Sequence, residues 1–209
     1  MRPNAITEEL GDLPYMLPEE GEKVFNFIQT HGLQRCLELG FYHGVSSAYI
    51  AGAIEQLGRG SLTTIDLEGA RNLQPNIGEV LTRVGLGAWV TYYFEPTSYN
   101  WRLMKFLEEG LQGTFDFCYI DGGHNWFSTG FAFFLVARLL RPGGWIIFDD
   151  LDWTHEGEAV RESPRVQAMP AEERLTPQVR KVYELLVKSD PSFDFCFEEG
   201  QWGYARKRK

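Results

Sequence analysis

Between residues 35 and 150 short apolar runs alternate with helical patterns, and most of the runs end on an acid or a glycine. "RCLELG" (35–40), "SLTTIDL" (61–67), "AWVTYYFE" (88–95), "FDFCYID" (115–121) and "GGWIIFDD" (143–150) have the length and side chains of buried strands. Between them, residues 44–58, a segment opened by Pro75 and running to about 86, residues 98–111 and residues 126–140 read as helices. Gly58 closes the first of these and Ser98 caps the third. This alternation demands parallel strands, because each helix carries the chain back across the sheet. It predicts an α/β protein with helices on both faces of the sheet. Ligands of such sheets bind at the carboxyl ends of the strands. Gly40, Asp66, Glu95, Asp121 and Asp149 all fall at those ends.

The last sixty residues break the rhythm. Residues 151–175 are polar, contain Pro164 and Pro170, and read as a lid or acceptor loop carrying Trp153, His155, Glu156 and Glu158. Trp126 and Trp153 are candidates to flank a ring or sugar, with ordinary packing equally open. A helix over 175–190 follows, with Thr176 as N-cap and Pro177 in its first turn. "SFDFCFEE" and "QWGYARK", separated by Gly200, read as an antiparallel pair. The 209 residues fit one domain, 1–209.

A net charge of −9 and a pI near 5.0 argue against a nucleic-acid partner, whose phosphates need a basic face. The basic run from Arg206 to Lys209 reads as a solvated tail. No apolar run reaches the roughly 18 residues of a membrane span, and the first fifteen residues hold no apolar signal region. Cys36, Cys118 and Cys196 show no metal-ligand spacing and read as free thiols, which suits the cytoplasm.

"LELGFYHGVSS" (37–47) feeds a strand into a glycine-bearing turn and then a helix, whose first N–H groups are free to meet an anion. Its spacing is Gly-x-x-x-Gly, not the Gly-x-Gly-x-x-Gly of dinucleotide sites. Glu38 could meet an ammonium, and Asp66, at the next strand end, could accept both hydroxyls of a ribose. At the other strand ends, Asp121 faces the Asp149–Asp150 pair. Carboxylates packed together repel unless a cation sits between them, and oxygen ligands of this kind suit Mg²⁺. Simple caps of a turn and of the lid remain the other reading of Asp121 and Asp150.

"LELGFYHGVSS" followed by "TTIDLE" resembles motifs I and II of the class I S-adenosylmethionine (SAM)-dependent methyltransferases. "MLPEEGEKVFNFI", "IDGGH" and "FDD" resemble the metal-dependent O-methyltransferases within that class, including the catechol- and macrolide-sugar-methylating enzymes. The resemblance implies a Rossmann-like fold with a seven-stranded, mostly parallel sheet whose last strand is antiparallel. It implies that Gly40, Phe41, Tyr42 and Gly44 line the methionine part of SAM and that Ser46 holds its carboxylate. Asp66 would bind the ribose, Leu67 the adenine face, and Glu95, Thr97 and Ser98 the adenine edge. Asp121, Asp149 and Asp150 would hold Mg²⁺ or another divalent cation, with Asp121 also bordering the cofactor. His124 stands where the sugar-methylating group has its general base. The expected reaction is methyl transfer to a small-molecule hydroxyl, in a vicinal diol, catechol or sugar. Homo-oligomers are common in that group, and the expectation extends to this chain.

Two readings compete. An NAD(P)-dependent dehydrogenase explains the glycine turn and Asp66, but not the glycine spacing, the closing hairpin or the acids. A non-catalytic binding protein on a methyltransferase fold leaves the acids and His124 without a purpose.

Overall fold

The computed structural model describes residues 1–157 and 161–209, so Glu158 lies outside the described residues. Seven strands form one sheet in the order β3-β2-β1-β4-β5-β7-β6. They are β1 (Arg35–Leu39), β2 (Ser61–Leu67), β3 (Val90–Glu95), β4 (Phe115–Ile120), β5 (Leu140–Phe148), β6 (Phe193–Glu199) and β7 (Trp202–Lys207). β1 to β5 pair in parallel, whereas β7 runs antiparallel to both β5 and β6. The strand order reverses between β1 and β4, whose register runs from Cys36↔Phe117 to Leu39↔Ile120. That junction is the switch point at which open α/β sheets take their ligands.

The sheet divides two cores, as the two-residue period of a strand requires. Phe117 and Tyr119 of β4 face the core made with α2 (Pro18–His31) and α3 (Val45–Leu57). Cys118 and Ile120 face the opposite core, made with α5 (Tyr99–Glu108) and α6 (Trp126–Leu139). Because both faces are covered, the buried positions of β1 and β4 are apolar except for Glu38 on β1. Cys36 and Cys118 are buried and Cys196 half-buried, all as free thiols. No helix among the described residues is long and apolar enough to cross a membrane.

Two local features depart from the sequence expectations, and a third was not foreseen. Pro75 does not open the next helix. Asn76 caps it, accepting from the Glu79 N–H at 3.2 Å while Glu79 returns the bond at 2.9 Å, and α4 spans Ile77–Arg83. This reciprocal box satisfies two free donors, which a leading proline cannot do. Thr176 does not cap the late helix either. Its hydroxyl donates back to the Glu172 carbonyl at 2.7 Å, closing the short helix Ala171–Leu175, and a new helix begins at Gln178. Third, α1 (Pro3–Leu10) buries Ile6 and Leu10, and its Thr7 hydroxyl meets the Tyr49 hydroxyl of α3 at 2.8 Å.

Candidate active site

The glycine loop is shaped by what it must avoid. Gly40 has φ +88°, and a Cβ there would overlap the Asp121 carbonyl group. Gly44 has φ +94°, caps α3, and a Cβ there would lie 2.7 Å from Ile77 Cγ1. Only glycine takes these angles without cost and lets β1 and β4 close on one another. Between the two glycines, Asp66 holds the turn. Its Oδ2 accepts from the Phe41 and Tyr42 N–H groups at 2.9 and 2.7 Å, and its Oδ1 accepts from the Leu67 N–H at 2.6 Å. Asp66 therefore fixes the backbone of the loop that it borders.

Glu38 lies beneath the loop, fully buried. The Ser47 hydroxyl donates to Oε2, while Oε1 has no partner. Burial pushes its carboxyl up to about 7, against the pull of the Ser46, Ser47 and Thr64 hydroxyls. Glu38 is not among the residues that line the neighbouring cavity.

At the ends of β4 and β5 the acids converge. The Asp121 N–H donates to the Leu39 carbonyl at 2.8 Å and the Asp149 N–H to the Ile120 carbonyl at 3.0 Å, so sheet bonds set both backbones. His124 Nε2 lies 3.1 Å from Asp150 Oδ2 and 3.5 Å from Asp121 Oδ1, close as ion pairs but without in-line hydrogen-bond geometry. Asp121, His124 and Asp150 each offer a ligand atom within 4.8 Å of the others. Asp149 is not one of these three. Its Oδ2 accepts from the buried Tyr119 hydroxyl and its Oδ1 from the Asp150 N–H at 2.6 Å.

Electrostatics follow from this crowding. Burial drives the Asp121 carboxyl well above its usual range, with Asp149 and Asp150 adding to the rise and His124 opposing it. Burial also pushes Asp149 up to about 6, and the charge of Asp150 adds to it. Burial alone would lower His124, but Asp121 and Asp150 outweigh it and push the imidazole up to about 10. These carboxylates therefore favour the protonated imidazole.

Loop and acids line one cavity of about 950 Å³, which Asp66, Ser46, Asp121, His124, Asp149 and Asp150 all reach. Among the described residues, five that are not glycine have positive φ, and four of them line this cavity: Tyr15, Tyr42, His124 and Asp150. Backbone strain of that kind persists where a site requires it.

Comparison with known proteins decides the family. The profile of the methyltransferase-domain family matches residues 37–151, more than half of the chain. The chain belongs to the methyltransferase-domain family. No curated protein sequence matches it. Among solved structures, an O-methyltransferase from Bacillus cereus in complex with S-adenosylhomocysteine (SAH) is 21% identical at a TM-score of 0.70, covering 98% of this chain and 91% of that one. TomG from Streptomyces achromogenes, an O-methyltransferase of tomaymycin synthesis solved with SAM, is 20% identical at a TM-score of 0.69, covering 99% and 88%. Identities this low carry the fold alone, and that fold is the seven-stranded methyltransferase sheet.

Not every residue expected in the methyltransferase site reaches the cavity. Leu67 is exposed beside it. Glu95 is buried and committed to Arg102, whose Nε donates to it at 2.6 Å. Thr97 is exposed, and Ser98 caps α5 by accepting from the Asn100 N–H at 3.1 Å. Trp126 lines a separate apolar hollow of about 410 Å³ with Phe127 and Leu185, not the acid cluster. Trp153 does reach it, its ring 4.9 Å from His124 and 4.8 Å from His155. Glu156 pairs with Arg174 at 3.2 Å, which ties the lid to itself.

The segment 11–18 supplies a wall that sequence reasoning missed. Tyr15 meets Tyr42 edge-on, with ring centroids 4.7 Å apart, over the mouth of the cavity. Pro14 and Pro18 marked the segment as irregular, but nothing in its pattern said that it folds back over the sheet.

Proposed function

We propose that this chain transfers the methyl group of SAM to a hydroxyl of a small molecule, with a divalent cation at the acids that follow β4 and β5. The observation that carries this reading is the shared wall: the glycine loop and the acid cluster border one cavity, and at Gly40 and Asp121 they touch. A donor bound at the loop and an acceptor bound at the acids would then meet without further rearrangement, and positioning of that kind supplies much of a methyl transfer's acceleration.

Each part has a chemical use. The free N–H groups at the start of α3 and the Ser46 hydroxyl suit the SAM carboxylate. Glu38, buried behind Ser47, is assigned to the ammonium from its place just before the glycine turn. Asp66 suits the ribose, while still holding the loop. Leu67, Glu95, Thr97 and Ser98 remain the assigned adenine side only on the strength of the family resemblance. The lid, with Trp153 beside His124, suits exclusion of water and selection of the acceptor.

The donor set fits a cation: two carboxylates and an imidazole nitrogen offer ligand atoms within 4.8 Å of one another. Such an ion would act as a Lewis acid and lower the pKa of the acceptor hydroxyl. Asp121 and Asp150 would hold it, and Asp149 is oriented beside them by Tyr119. A cation entering these carboxylates competes with the proton on His124, since metal binding displaces protons from its ligands.

The test is turnover of radiolabelled SAM against a panel of catechols, vicinal diols and sugars, with and without EDTA. Methylation of a hydroxyl that EDTA abolishes supports the reading. NAD(P)H binding with no SAM binding would replace it by the dehydrogenase.

A further inference from the structure

We propose that the outward face of α6 is the contact surface of a two-fold dimer of this chain, with α6 of one copy crossing α6 of the other. The residues of this face do not line the large cavity, and the dimer does not depend on the chemistry assigned there.

α6 is apolar on two sides. Its inner face buries Phe133, Val136 and Leu139 in the core that it shares with α5. Its outer face shows Phe127, Phe131 and Phe134, at 62%, 56% and 49% exposure. Spacings of four and three residues set these rings in one row along the helix. Covering the core of one molecule needs only the inner face, so the outer row is without a use in the monomer. Gly130 is buried, and a Cβ there would lie 3.2 Å from Leu186 Cδ1, so α6 packs closely on the segment Tyr183–Val187. Leu185 of that segment is exposed and shares the hollow of about 410 Å³ with Trp126 and Phe127.

The size fits a dimer. A whole aromatic side chain covers 150–250 Å², so the exposed parts of Trp126, Phe127, Phe131, Phe134 and Leu185 add to roughly 500 Å². The largest apolar patch of an ordinary monomer is about 300–600 Å². A stable dimer buries about 800 Å² per partner, with an apolar centre and a polar rim. The row supplies the centre, and Glu173, Gln178 and Lys181 around the hollow supply rim.

Three features select a second copy over another partner. The first is charge. Each chain carries −9, so two copies repel except where acids are absent, and the only charged side chain of α6 is Arg138. The hollow beside it is lined by one acid, Glu173, and one base, Lys181, so this face meets itself without net repulsion. The second is shape. A two-fold contact needs one patch that both projects and receives, and here exposed phenylalanines stand beside a recess. The third is register. An antiparallel crossing centred between Gly130 and Phe131 sets Phe127 of one copy opposite Phe134 of the other and puts Phe131 beside its own mate. Phe134 then enters the hollow that Phe127 borders.

The experiment is sedimentation equilibrium of the whole chain over a series of concentrations. Wild-type protein should reach twice the 24.0 kDa mass of the chain. Phe131→Glu places two carboxylates beside the axis and should raise the dimer Kd at least about a hundredfold. Phe131→Ala, at a position more than half exposed in the monomer, should raise it about tenfold or more. Both variants should keep the wild-type circular dichroism, and the alanine variant decides if the glutamate one does not fold. Phe195→Glu removes a comparably exposed phenylalanine from β6, at the sheet edge, and should leave the dimer intact. A wild-type chain that is monomeric at every concentration, a dimer indifferent to both changes at Phe131, or a dimer broken by Phe195→Glu would overturn the proposal. A monomer that floats with anionic phospholipid vesicles would overturn it in favour of a membrane surface.

Discussion

Gly40 and the Asp121 carbonyl group are in contact across β1 and β4, leaving no room for a side chain at position 40. The cofactor loop and the acid cluster are therefore parts of one rigid wall. Gly40→Ala combines a φ of +88° with overlap on backbone that cannot yield. It should cost at least about 2 kcal/mol in urea unfolding. It should also abolish SAH binding. A variant with wild-type stability and affinity would show that the two strands can part.

Asp66 accepts three backbone N–H groups of the loop and its own strand end. Asp66→Ala leaves those donors without an acceptor and removes the proposed ribose partner. The Kd for SAH should rise at least about tenfold in calorimetry. Asp66→Asn, which keeps one acceptor oxygen, should fall between the two.

The sheet was legible because its strands announce themselves twice, by apolar runs and by the acids and glycines at their ends. "SLTTIDL" is β2 residue for residue. The acids were legible as a group because the sheet order brings the ends of β4 and β5 together. Their separate orientations were not. Asp149 and Asp150 are adjacent in sequence, yet one turns to Tyr119 and the other to His124. That difference depends on the φ of +56° at Asp150 and on a tyrosine two residues before Asp121, which no periodicity exposes. The wall from residues 11–18 was hidden for a similar reason: it is set by the packing of α1 on α3, a long-range contact. The pairing of Glu95 with Arg102, seven residues further on, was not legible either.

Glu38 gives the protein a pH dependence. Its folded carboxyl is raised from 4.5 to about 7 by burial, so between those values the folded state keeps a proton that the unfolded chain has lost. That contribution to stability is complete below pH 4.5 and is lost as the pH rises through about 7. The loss is of the order of 3 kcal/mol. Glu38→Gln should flatten this fall when cofactor-free protein is unfolded by urea across pH 4.5 to 8. An unchanged slope would show that the carboxyl ionises without penalty.

Trp153 covers His124 without entering the loop or the cluster. Trp153→Ala should leave the Kd for SAH within about twofold and raise the KM for a hydroxyl acceptor up to about tenfold, as loss of one aromatic contact implies. Equal loss on both sides would mean that the indole supports the site as a whole.

The most direct measurement of the central claim is calorimetric titration of SAH into purified protein, with NADH titrated in parallel. The account predicts one SAH site per chain, weakened by Asp66→Ala, and no heat from NADH. Saturable NADH binding without SAH binding would contradict it.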